Sequence, residues 1–373
     1  MTAPGKHAAA DDARPRSTRP GPNAMARPPG RRRHALAMTG LVILTVALHA
    51  VSLRNDFVFD DVGFVQQNSH IRSLGNLGRF FAPGFWREAW PGRSYRPVVE
   101  VTLALNHAVT GGQPAGLRVV NVALLAATAA LVYWLAWRLA GSAAVAFIAG
   151  LIFAVHPAHI ETITLVKNRS ELLAGLFGLL ALLWFLRAVE RRGRWRLAWL
   201  GSAAATAAAL GSKEVALALP LVLTAAALAL VPAGRRRRAL AMTVPAWLLA
   251  VGLVVLLFHG VSGRYPRPPA TDRLTVLEFA ALGPAVRGLV TIKTVGTYLG
   301  LLIWPFAPCA ERAFAIPRSP WRMDILASLA ACLALAVLLV WLWRRSRVAA
   351  FAVLWTVVAI APVSYTHLRA HET

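Results

Sequence analysis

The sequence contains very little cysteine and few acidic residues. Only two of its 373 residues are cysteines, Cys309 and Cys332, and the second lies within an apolar run. Two cysteines placed in this way argue against a disulfide framework and against a cysteine-based zinc site. Aspartate and glutamate together number 16 against 40 lysines and arginines, which gives a net charge of +24. The chain is therefore strongly basic.

A strongly basic chain often binds nucleic acid, but other absences argue against that interpretation. No nucleic-acid-binding module is visible in the sequence. The arginines instead cluster beside apolar runs, as the positive-inside rule predicts for the cytoplasmic loops of a membrane protein. The sequence also lacks repeats of solenoid period and the alternation of apolar and polar residues that a membrane β-barrel requires. We expect membrane lipids, and no nucleic acid, among its partners.

Apolar residues, by contrast, are abundant and gathered in long blocks. They make up 57% of the chain, and the mean hydropathy is +0.55. Most blocks approach the roughly 20 residues that a helix needs to cross a bilayer. We predict an all-α polytopic membrane protein with about 9–10 transmembrane helices and a long first extracytoplasmic loop. The predicted spans are Ala35–Leu53, Leu117–Leu139, Ala143–Val155, Leu172–Val189, Trp195–Leu210, Val215–Val231, Ala239–Phe258, Val286–Trp304, Ile325–Trp343 and Val348–Pro362.

Three regions follow from these blocks. Residues 1–34 are rich in proline, arginine and alanine, and we predict a disordered, basic, cytoplasmic tail. Residues 35–362 form the membrane domain. Val363–Thr373 breaks the apolar pattern and matches the translation of a common transposase sequencing adapter. We expect that segment to be an artefact and the natural protein to continue beyond Pro362.

Short arginine-rich loops predict the orientation in the membrane. "RRRH", "RAVERRGRWR" and "GRRRR" fall on one side if every span crosses. We predict that this side is cytoplasmic, in a bacterial inner membrane, so "FVFDD", "HPAHIE" and "SKE" share the extracytoplasmic face. The later "RRSR" obeys the rule only if Val286–Trp304, with Arg287 and Lys293, does not cross. We favour an amphipathic helix at the outer surface for that segment.

The long first loop runs from Arg54 to about Gly116 and is rich in aromatic residues. Aromatic side chains are common at membrane interfaces. We therefore predict interfacial anchors at Phe80, Phe81, Phe85, Trp86 and Trp90.

The loop begins with "FVFDDVGFVQQN", in which Asp60 and Asp61 are adjacent in an apolar setting. A helix N-cap explains one aspartate but not two. Neighbouring carboxylates beside a low-dielectric surface repel each other, so one holds its proton more tightly. Such a group suits a general base that receives a hydroxyl proton. Aspartate doublets are common in loops, so the pattern alone leaves a structural and a catalytic role open.

Other ionisable residues stand at the ends of apolar blocks, where they are functional candidates by default. Arg96 in "YRPVVEV" either anchors the chain at the interface or offers a planar fork to phosphate. His156 and His159, with Glu161, are only a weak metal motif, because a turn beginning at Pro157 does not fix ligand geometry.

Two further pairs have simple structural explanations beside functional ones. Arg169 and Glu171 open a span, where capping by Ser170 and an acid in the first turn are favourable without any function. Lys213 and Glu214 in "LGSKEVALALP" form either a local ion pair of little value or a contact with lipid phosphate.

These stretches occur in an order that resembles a known family. "FVFDD", "SYRPVVEVTLALNHAVTGGQP", "LIFAVHPAHIETITLVKNRSELLAG" and "SKE" are similar to motifs in the membrane half of the transmembrane and tetratricopeptide-repeat O-mannosyltransferases and their bacterial relatives. That family belongs to the GT-C class of glycosyltransferases, which use polyprenyl-phosphate sugars. The similarity covers about Arg54 to Glu214 clearly and reaches Pro362 more vaguely.

The resemblance implies a GT-C-like membrane enzyme that moves a sugar, expected to be mannose, from a polyprenyl-phosphate donor to a protein or glycan hydroxyl on the extracytoplasmic face. Asp60 would be the catalytic base, and Asp61 would tune it or hold a divalent metal, which the sequence does not require. Tetratricopeptide repeats usually follow the last span in this family, so we expect a fragment, whose activity alone is open. The expected lipid-phosphate and sugar-binding residues are Arg96, His156, Arg169, Glu171, Lys213 and Glu214.

The sequence departs from the family pattern at three places, one of which is Leu124-Leu125, where the family has Leu-His. The family histidine before the asparagine of the second span is here Arg118, ahead of Asn121. The family Gly-Arg before the fourth span is here Asn168-Arg169. Two other functional classes stay open: a transporter or flippase for a lipid-linked sugar, although the inverted repeats typical of transporters are not visible, and a non-catalytic membrane scaffold for downstream repeats.

Overall fold

The computed structural model of the chain describes residues 31–89, 95–190, 193–257, 282–305, 316–317 and 319–360. Most of the predicted disordered tail, Trp90 and the adapter-like segment Val363–Thr373 lie outside these residues. Within the described part of the chain every regular element is a helix. The predicted all-α membrane fold is therefore confirmed.

The helix positions follow the predicted apolar blocks closely. The blocks Ala143–Val155 and Trp195–Leu210 match helices residue for residue, whereas the predicted span Ala239–Phe258 is divided at Thr243, just before Pro245. The division has a physical cause, because proline cannot continue a helical hydrogen-bond ladder. The α-helices are α1 Arg31–His49, α2 Pro83–Ala89, α3 Pro97–Thr110, α4 Pro114–Ala140, α5 Ala143–Val155, α6 His159–Thr164, α7 Arg169–Val189, α8 Trp195–Leu210, α9 Leu219–Leu230, α10 Ala233–Met242, α11 Val244–Val255, α12 Pro284–Ile303, α13 Met323–Arg345 and α14 Arg347–Ile360.

Six segments of the described chain are long and apolar enough to cross a membrane. Shorter apolar helices, among them α5 and α14, lie between or after them. This set supports an integral membrane protein with several spans. The six segments are Arg32–Arg54, Pro114–Ala140, Val166–Val189, Ala233–Val255, Pro284–Ile303 and Met323–Arg345.

The ends of the second predicted span are set by local sequence. Helix α4 begins with Pro114 in its first turn, where a missing N–H costs nothing and φ is already helical. It ends at Gly141, which has a φ of +67°, a left-handed conformation that glycine adopts without steric cost. Ser142 then caps α5 by accepting a hydrogen bond from the Val145 N–H. The tight α4–α5 hairpin follows from these three residue types.

Small residues allow α7 and α8 to pack closely. A Cβ atom at Gly201 of α8 would lie 2.3 Å from the ring of Trp184 in α7, so a larger residue there would force that ring to move. One residue on, the Ser202 hydroxyl donates a 2.8 Å hydrogen bond to the Ala181 carbonyl. Close backbone approach at small residues is typical of helix pairs in membranes, where apolar burial alone favours no association.

The helices carry different chemistry at their two ends. At one end, here called the motif end, Arg118 of α4 reaches the first loop, and Lys167 precedes α7. At the other, here called the arginine end, Arg138 of α4 pairs with Glu190 after α7 at 2.8 Å. Arg118 and Arg138 are about 30 Å apart along α4, about the thickness of a hydrocarbon core. His34 of α1 also lies toward the arginine end. Its ring shares a 2.7 Å hydrogen bond with the hydroxyl group of Tyr133, which is in the second half of α4.

The first loop folds against the helices as a series of short turns followed by α2 and α3. The predicted interfacial anchors are wrong for Phe80, Phe85 and Trp86, which are buried in the protein core. Their rings pack edge to face, and the Trp86 indole donates to the Phe80 carbonyl at 2.7 Å. Phe81 is exposed, as an anchor would be. The aromatic residues therefore mainly form the core of the loop itself.

Helix α12 corresponds to the span whose crossing was in question. Its Lys293 is not left as an unpaired charge, because Nζ lies 2.8 Å from Asp324 of α13. The helix also passes the length and hydropathy requirements for a span. The surface placement of α12 stays a prediction. Its C-terminal part reaches the motif end, where the Leu302 carbonyl lies 3.5 Å from His156 Nε2.

Candidate functional site

The two adjacent aspartates face different environments because of a turn in the first loop. Phe59 has a φ of +48°, a left-handed conformation that is rare and costs about 1–3 kcal/mol for a bulky residue. A short helical turn starts immediately after it. Asp60 is about half exposed, whereas Asp61 is fully buried. The strained turn thus presents one carboxylate to solvent and directs the other into the protein.

Asp61 connects the first loop to the start of α7. Its carboxylate accepts hydrogen bonds from the backbone N–H groups of Val166 at 2.8 Å and Lys167 at 2.9 Å. Burial raises the pKa of this carboxyl, while the two N–H donors and the positive charge of Arg118 act against that rise. The acid does not cap its own turn. It serves instead as an anchor between two segments far apart in sequence.

Asp60 has a cationic partner of its own. The Lys167 ammonium forms an ion pair with the Asp60 carboxylate and lies 5.3 Å from the centre of the Phe64 ring. Lys167 therefore contacts both aspartates, one through its side chain and one through its backbone N–H. Both groups of the pair are partly exposed, so the carboxylate remains reachable for a third molecule.

Arg118, which replaces the histidine of the family pattern, is fully buried beneath this loop. Its guanidinium donates to the carbonyls of Asn55, Asp56 and Thr164. It also lies 3.7 Å from the Asp61 carboxylate. A planar group with five N–H donors is suited to gathering several backbone oxygens at once. Arg118 thus closes the base of the first loop and fixes the position of the aspartate pair.

Two further ion pairs join other elements at the motif end. Lys213 Nζ lies 2.5 Å from Glu171 in the first turn of α7, and Arg96 Nη2 lies 2.9 Å from Glu214. Lys213 and Glu214 therefore each pair with a different segment. The local ion pair that the sequence allowed is replaced by two pairs between segments. All four side chains retain some exposure, so they line the surface of the site.

Arg169, expected at the lipid phosphate, has a different environment. Its side chain is fully buried, and its guanidinium donates to the side-chain oxygens of Asn121 and Asn106, each at 2.8 Å. It also donates to the carbonyls of Thr102 and Leu117 at 3.1 and 2.7 Å. These four acceptors come from α3 and α4. The geometry supports a structural role for Arg169 and gives no support to direct phosphate contact.

The histidine motif lies at the motif end as well, between α5 and α6. His156 accepts a hydrogen bond at Nδ1 from the Ala158 N–H at 3.2 Å, which closes the turn. The ring of His159 packs 4.5 Å from the ring of Phe153. Burial, and secondarily the neighbouring His156 and His49, lower the pKa of His159 to about 4, so this residue is neutral near pH 7. Glu171 is within electrostatic range of His159.

The structure holds no obvious cage for a metal ion in the residues that it describes. No group of three or more histidine, cysteine, aspartate or glutamate side chains converges there. Asp60 and Asp61 are directed to different partners.

Most of the predicted site residues do meet at one end of the bundle. Glu171 pairs with Lys213, Arg96 pairs with Glu214, and both pairs stand on segments that adjoin the aspartate loop. Sequence reasoning missed Lys167 as a site residue, although "LVKNRSE" contains it directly beside the expected Arg169. The available signal was a lysine shortly before a predicted span, on the same predicted face as the two adjacent aspartates.

A comparison with protein families supports the resemblance drawn from the motifs. Residues 93–261 match the family described as dolichyl-phosphate-mannose-protein mannosyltransferase. The chain is 32% identical over 160 residues to the protein O-mannosyl-transferase TMTC2 of Mus musculus, and 34% identical over 146 residues to TMTC1 of the same organism. It is 32% identical over 174 residues to the human protein O-mannosyl-transferase TMTC4. The predicted similarity to the transmembrane and tetratricopeptide-repeat O-mannosyltransferases is confirmed.

These matches cover only parts of the proteins compared. They include 42%, 38% and 41% of this chain and 19%, 16% and 24% of the TMTC2, TMTC1 and TMTC4 relatives, respectively. The chain thus spans about a fifth of the length of these relatives. No solved structure shows a significant match.

Proposed function

We propose that this chain is the membrane domain of a GT-C glycosyltransferase that transfers mannose from a polyprenyl-phosphate donor to a hydroxyl group of a protein. Its relatives carry the name protein O-mannosyl-transferase, which supports the sugar and the class of acceptor. The reaction takes place at the motif end, which we assign to the extracytoplasmic face of the membrane. The arginine end is then cytoplasmic, in agreement with the positive-inside rule.

The observation that carries this proposal is the difference in burial and hydrogen bonding between the two aspartates. Asp61 is buried and held by two backbone N–H groups, so it fixes the loop. Asp60 stands next to it, half exposed and beside a lysine. A general base must be both anchored and accessible. Asp60 meets both requirements, and Asp61 supplies the anchoring.

The chemistry needs one base and cations for a departing phosphate. The acceptor oxygen attacks the anomeric carbon of the mannosyl group, and its proton passes to the Asp60 carboxylate. The bond between the anomeric carbon and the phosphate oxygen breaks, and the polyprenyl phosphate leaves with the electron pair. A phosphate is already a good leaving group, so electrostatic stabilisation suffices without a strong acid. A single direct displacement of this kind inverts the anomeric configuration.

Lys213 and Arg96 are the cations proposed for the donor phosphate. Both are partly exposed at the motif end, and each pairs with a glutamate there. Their charges are thus held in position before the substrate arrives, which reduces the reorganisation that binding requires. Glu171 and Glu214 act as positioning residues for these cations. His156, which also lies at the motif end, is proposed to face the sugar.

Arg169 is left out of the phosphate-binding set, in contrast to the expectation from the motifs. All of its described hydrogen bonds go to protein oxygens. We propose that its effect on catalysis is indirect and comes from the junction of α3, α4 and α7.

The donor is tested with the purified full chain in lipid vesicles and a peptide acceptor rich in serine and threonine. Radiolabelled mannose is supplied either as polyprenyl-phosphate-mannose or as a nucleotide sugar. We expect labelled peptide only with the lipid donor. Mass spectrometry and mild-base release then report whether mannose is joined to a hydroxyl oxygen.

The same vesicle assay distinguishes the transferase from a flippase and from a non-catalytic scaffold. Labelled lipid that changes leaflet without any labelled peptide would contradict the transferase and favour a flippase. Absence of both transfer and movement, in protein that is folded, would favour a scaffold. Transfer from the nucleotide sugar alone would contradict the proposed donor.

A further inference from the structure

A cavity of about 380 Å³ lies at the arginine end, away from the proposed reaction site. It is formed between the start of α8 and the end of α10. Two indole rings and two arginines contribute to its wall, together with aliphatic side chains. The principal lining residues are Trp195, Trp199, Arg196, Arg238, Leu200 and Met242.

The wall of this cavity is organised around Trp195. The guanidinium carbon of Arg238 lies 4.3 Å from the centre of its ring, and that of Arg196 lies 5.5 Å away. The other indole is fixed as well, because Trp199 Nε1 donates to the Met242 carbonyl at 3.1 Å. Stacking on an indole holds a guanidinium in a defined plane and leaves its N–H edges free to donate.

Arg238 has unused donors. Its Nη1 and Nη2 atoms are buried and make no hydrogen bond within the described part of the chain. A buried, charged donor without an acceptor is costly, because it has lost its water and gained nothing in return. Such a group in a cavity wall therefore indicates an acceptor that comes from outside the protein.

We propose that this cavity binds the headgroup of an anionic phospholipid, with a phosphate oxygen pair accepting from the two terminal nitrogens of Arg238. A guanidinium and a phosphate match in geometry and charge and form two parallel hydrogen bonds. The proposal includes a turn of the Arg238 side chain, because its terminal nitrogens are buried in the structure and must face the cavity to donate to a phosphate. Leu200 and Met242 then lie where the first part of an acyl chain continues.

The surroundings favour a lipid over a soluble phosphate. Helix α10 is the first part of Ala233–Val255, a segment long and apolar enough to cross a membrane. Trp195 and Trp199 lie near the first turn of α8, and tryptophan is common at membrane interfaces. The run Arg235–Arg238 adds positive charge beside the cavity. Basic pockets between membrane helices on the cytoplasmic side are suited to acidic lipid headgroups. This site is independent of the mannosyl transfer proposed above.

The binding is tested by native mass spectrometry of the full chain purified in detergent, with phosphatidylglycerol added as the probe. The informative variants are Arg238→Gln, which removes the charge and the fork, and Arg238→Lys, which keeps the charge alone. Arg235→Gln is the matched control, since it removes one charge from an exposed position of the same helix. Phosphatidylcholine and inorganic phosphate serve as competing ligands.

We expect Arg238→Gln to lower the retained phosphatidylglycerol about tenfold and Arg238→Lys to lower it several-fold, with Arg235→Gln within about twofold of the unaltered chain. Thermal unfolding in detergent shows whether each variant is folded. If Arg238→Gln does not fold, the test relies on Arg238→Lys. Equal binding by Arg238→Lys and the unaltered chain, or an equal loss in Arg235→Gln, would overturn the proposal. So would equal retention of phosphatidylcholine, or displacement of the lipid by millimolar phosphate.

Discussion

At the residue scale, Asp60 and Asp61 differ in environment although their side chains are identical. The positive φ of Phe59 and the N–H groups of Val166 and Lys167 produce that difference. The sequence predicts that the doublet matters, because two acids in an apolar stretch need an explanation. It does not predict which acid is buried, because the N–H partners lie about a hundred residues further along the chain.

The anchoring role of Asp61 predicts a loss of stability when its charge is removed. In Asp61→Asn, one of the two N–H donors would face an amide NH₂ group, and Arg118 would lose its carboxylate partner. We expect the free energy of unfolding to fall by about 3–5 kcal/mol, as for other buried pairs that lose one partner. Chemical denaturation in detergent micelles, followed by tryptophan fluorescence, measures this change.

Asp56→Asn provides the control for that measurement. Asp56 is an exposed aspartate of the same loop, so we expect a change within about 0.5 kcal/mol. Equal stability of Asp61→Asn and Asp56→Asn would show that the buried carboxylate is not an anchor.

At the scale of helices, the length of an apolar block predicts well where a helix begins and ends. It predicts poorly which other helices that helix contacts. Spans of alanine, leucine and valine locate helices such as α5 and α8 to the residue, because turn residues border them. The division at Thr243 was not predicted, although Pro245 in the sequence was its signal. The contacts between helices depend on single polar residues whose partners lie far away in the chain, and no periodicity reveals them.

Arg169 is the clearest case of such a contact, and its replacement tests it. In Arg169→Gln, a shorter neutral side chain leaves several buried oxygens of α3 and α4 without a donor. We expect the free energy of unfolding to fall by at least about 3 kcal/mol. Hydrogen exchange should show the loss of protection concentrated where α3, α4 and α7 meet.

Arg187→Gln is the matched control, because Arg187 is exposed on the same helix. It should leave both stability and exchange close to those of the unaltered chain. If Arg169→Gln were as stable as this control while mannose transfer was lost, Arg169 would belong at the substrate after all.

At the scale of the whole molecule, the chain separates two kinds of chemistry along its helices. Most of the ion pairs between segments lie at the motif end, whereas the arginine–tryptophan contacts lie at the arginine end, together with the Arg138–Glu190 pair. Charge patterning in the sequence predicts this separation, because loops of like character alternate between apolar blocks. It predicts less about the first loop, whose aromatic residues form an internal core. Burial there depends on the fold of the loop as a unit.

The most direct test of the account is the rate of mannose transfer from polyprenyl-phosphate-mannose by the unaltered chain, Asp60→Asn and Asp56→Asn in identical vesicles. Loss of a general base typically costs a factor of about 10²–10⁴. We predict a loss of that size in Asp60→Asn, with thermal stability retained, and a rate within about twofold of the unaltered chain in Asp56→Asn. Equal rates for the unaltered chain and Asp60→Asn would contradict the assignment of Asp60 as the catalytic base.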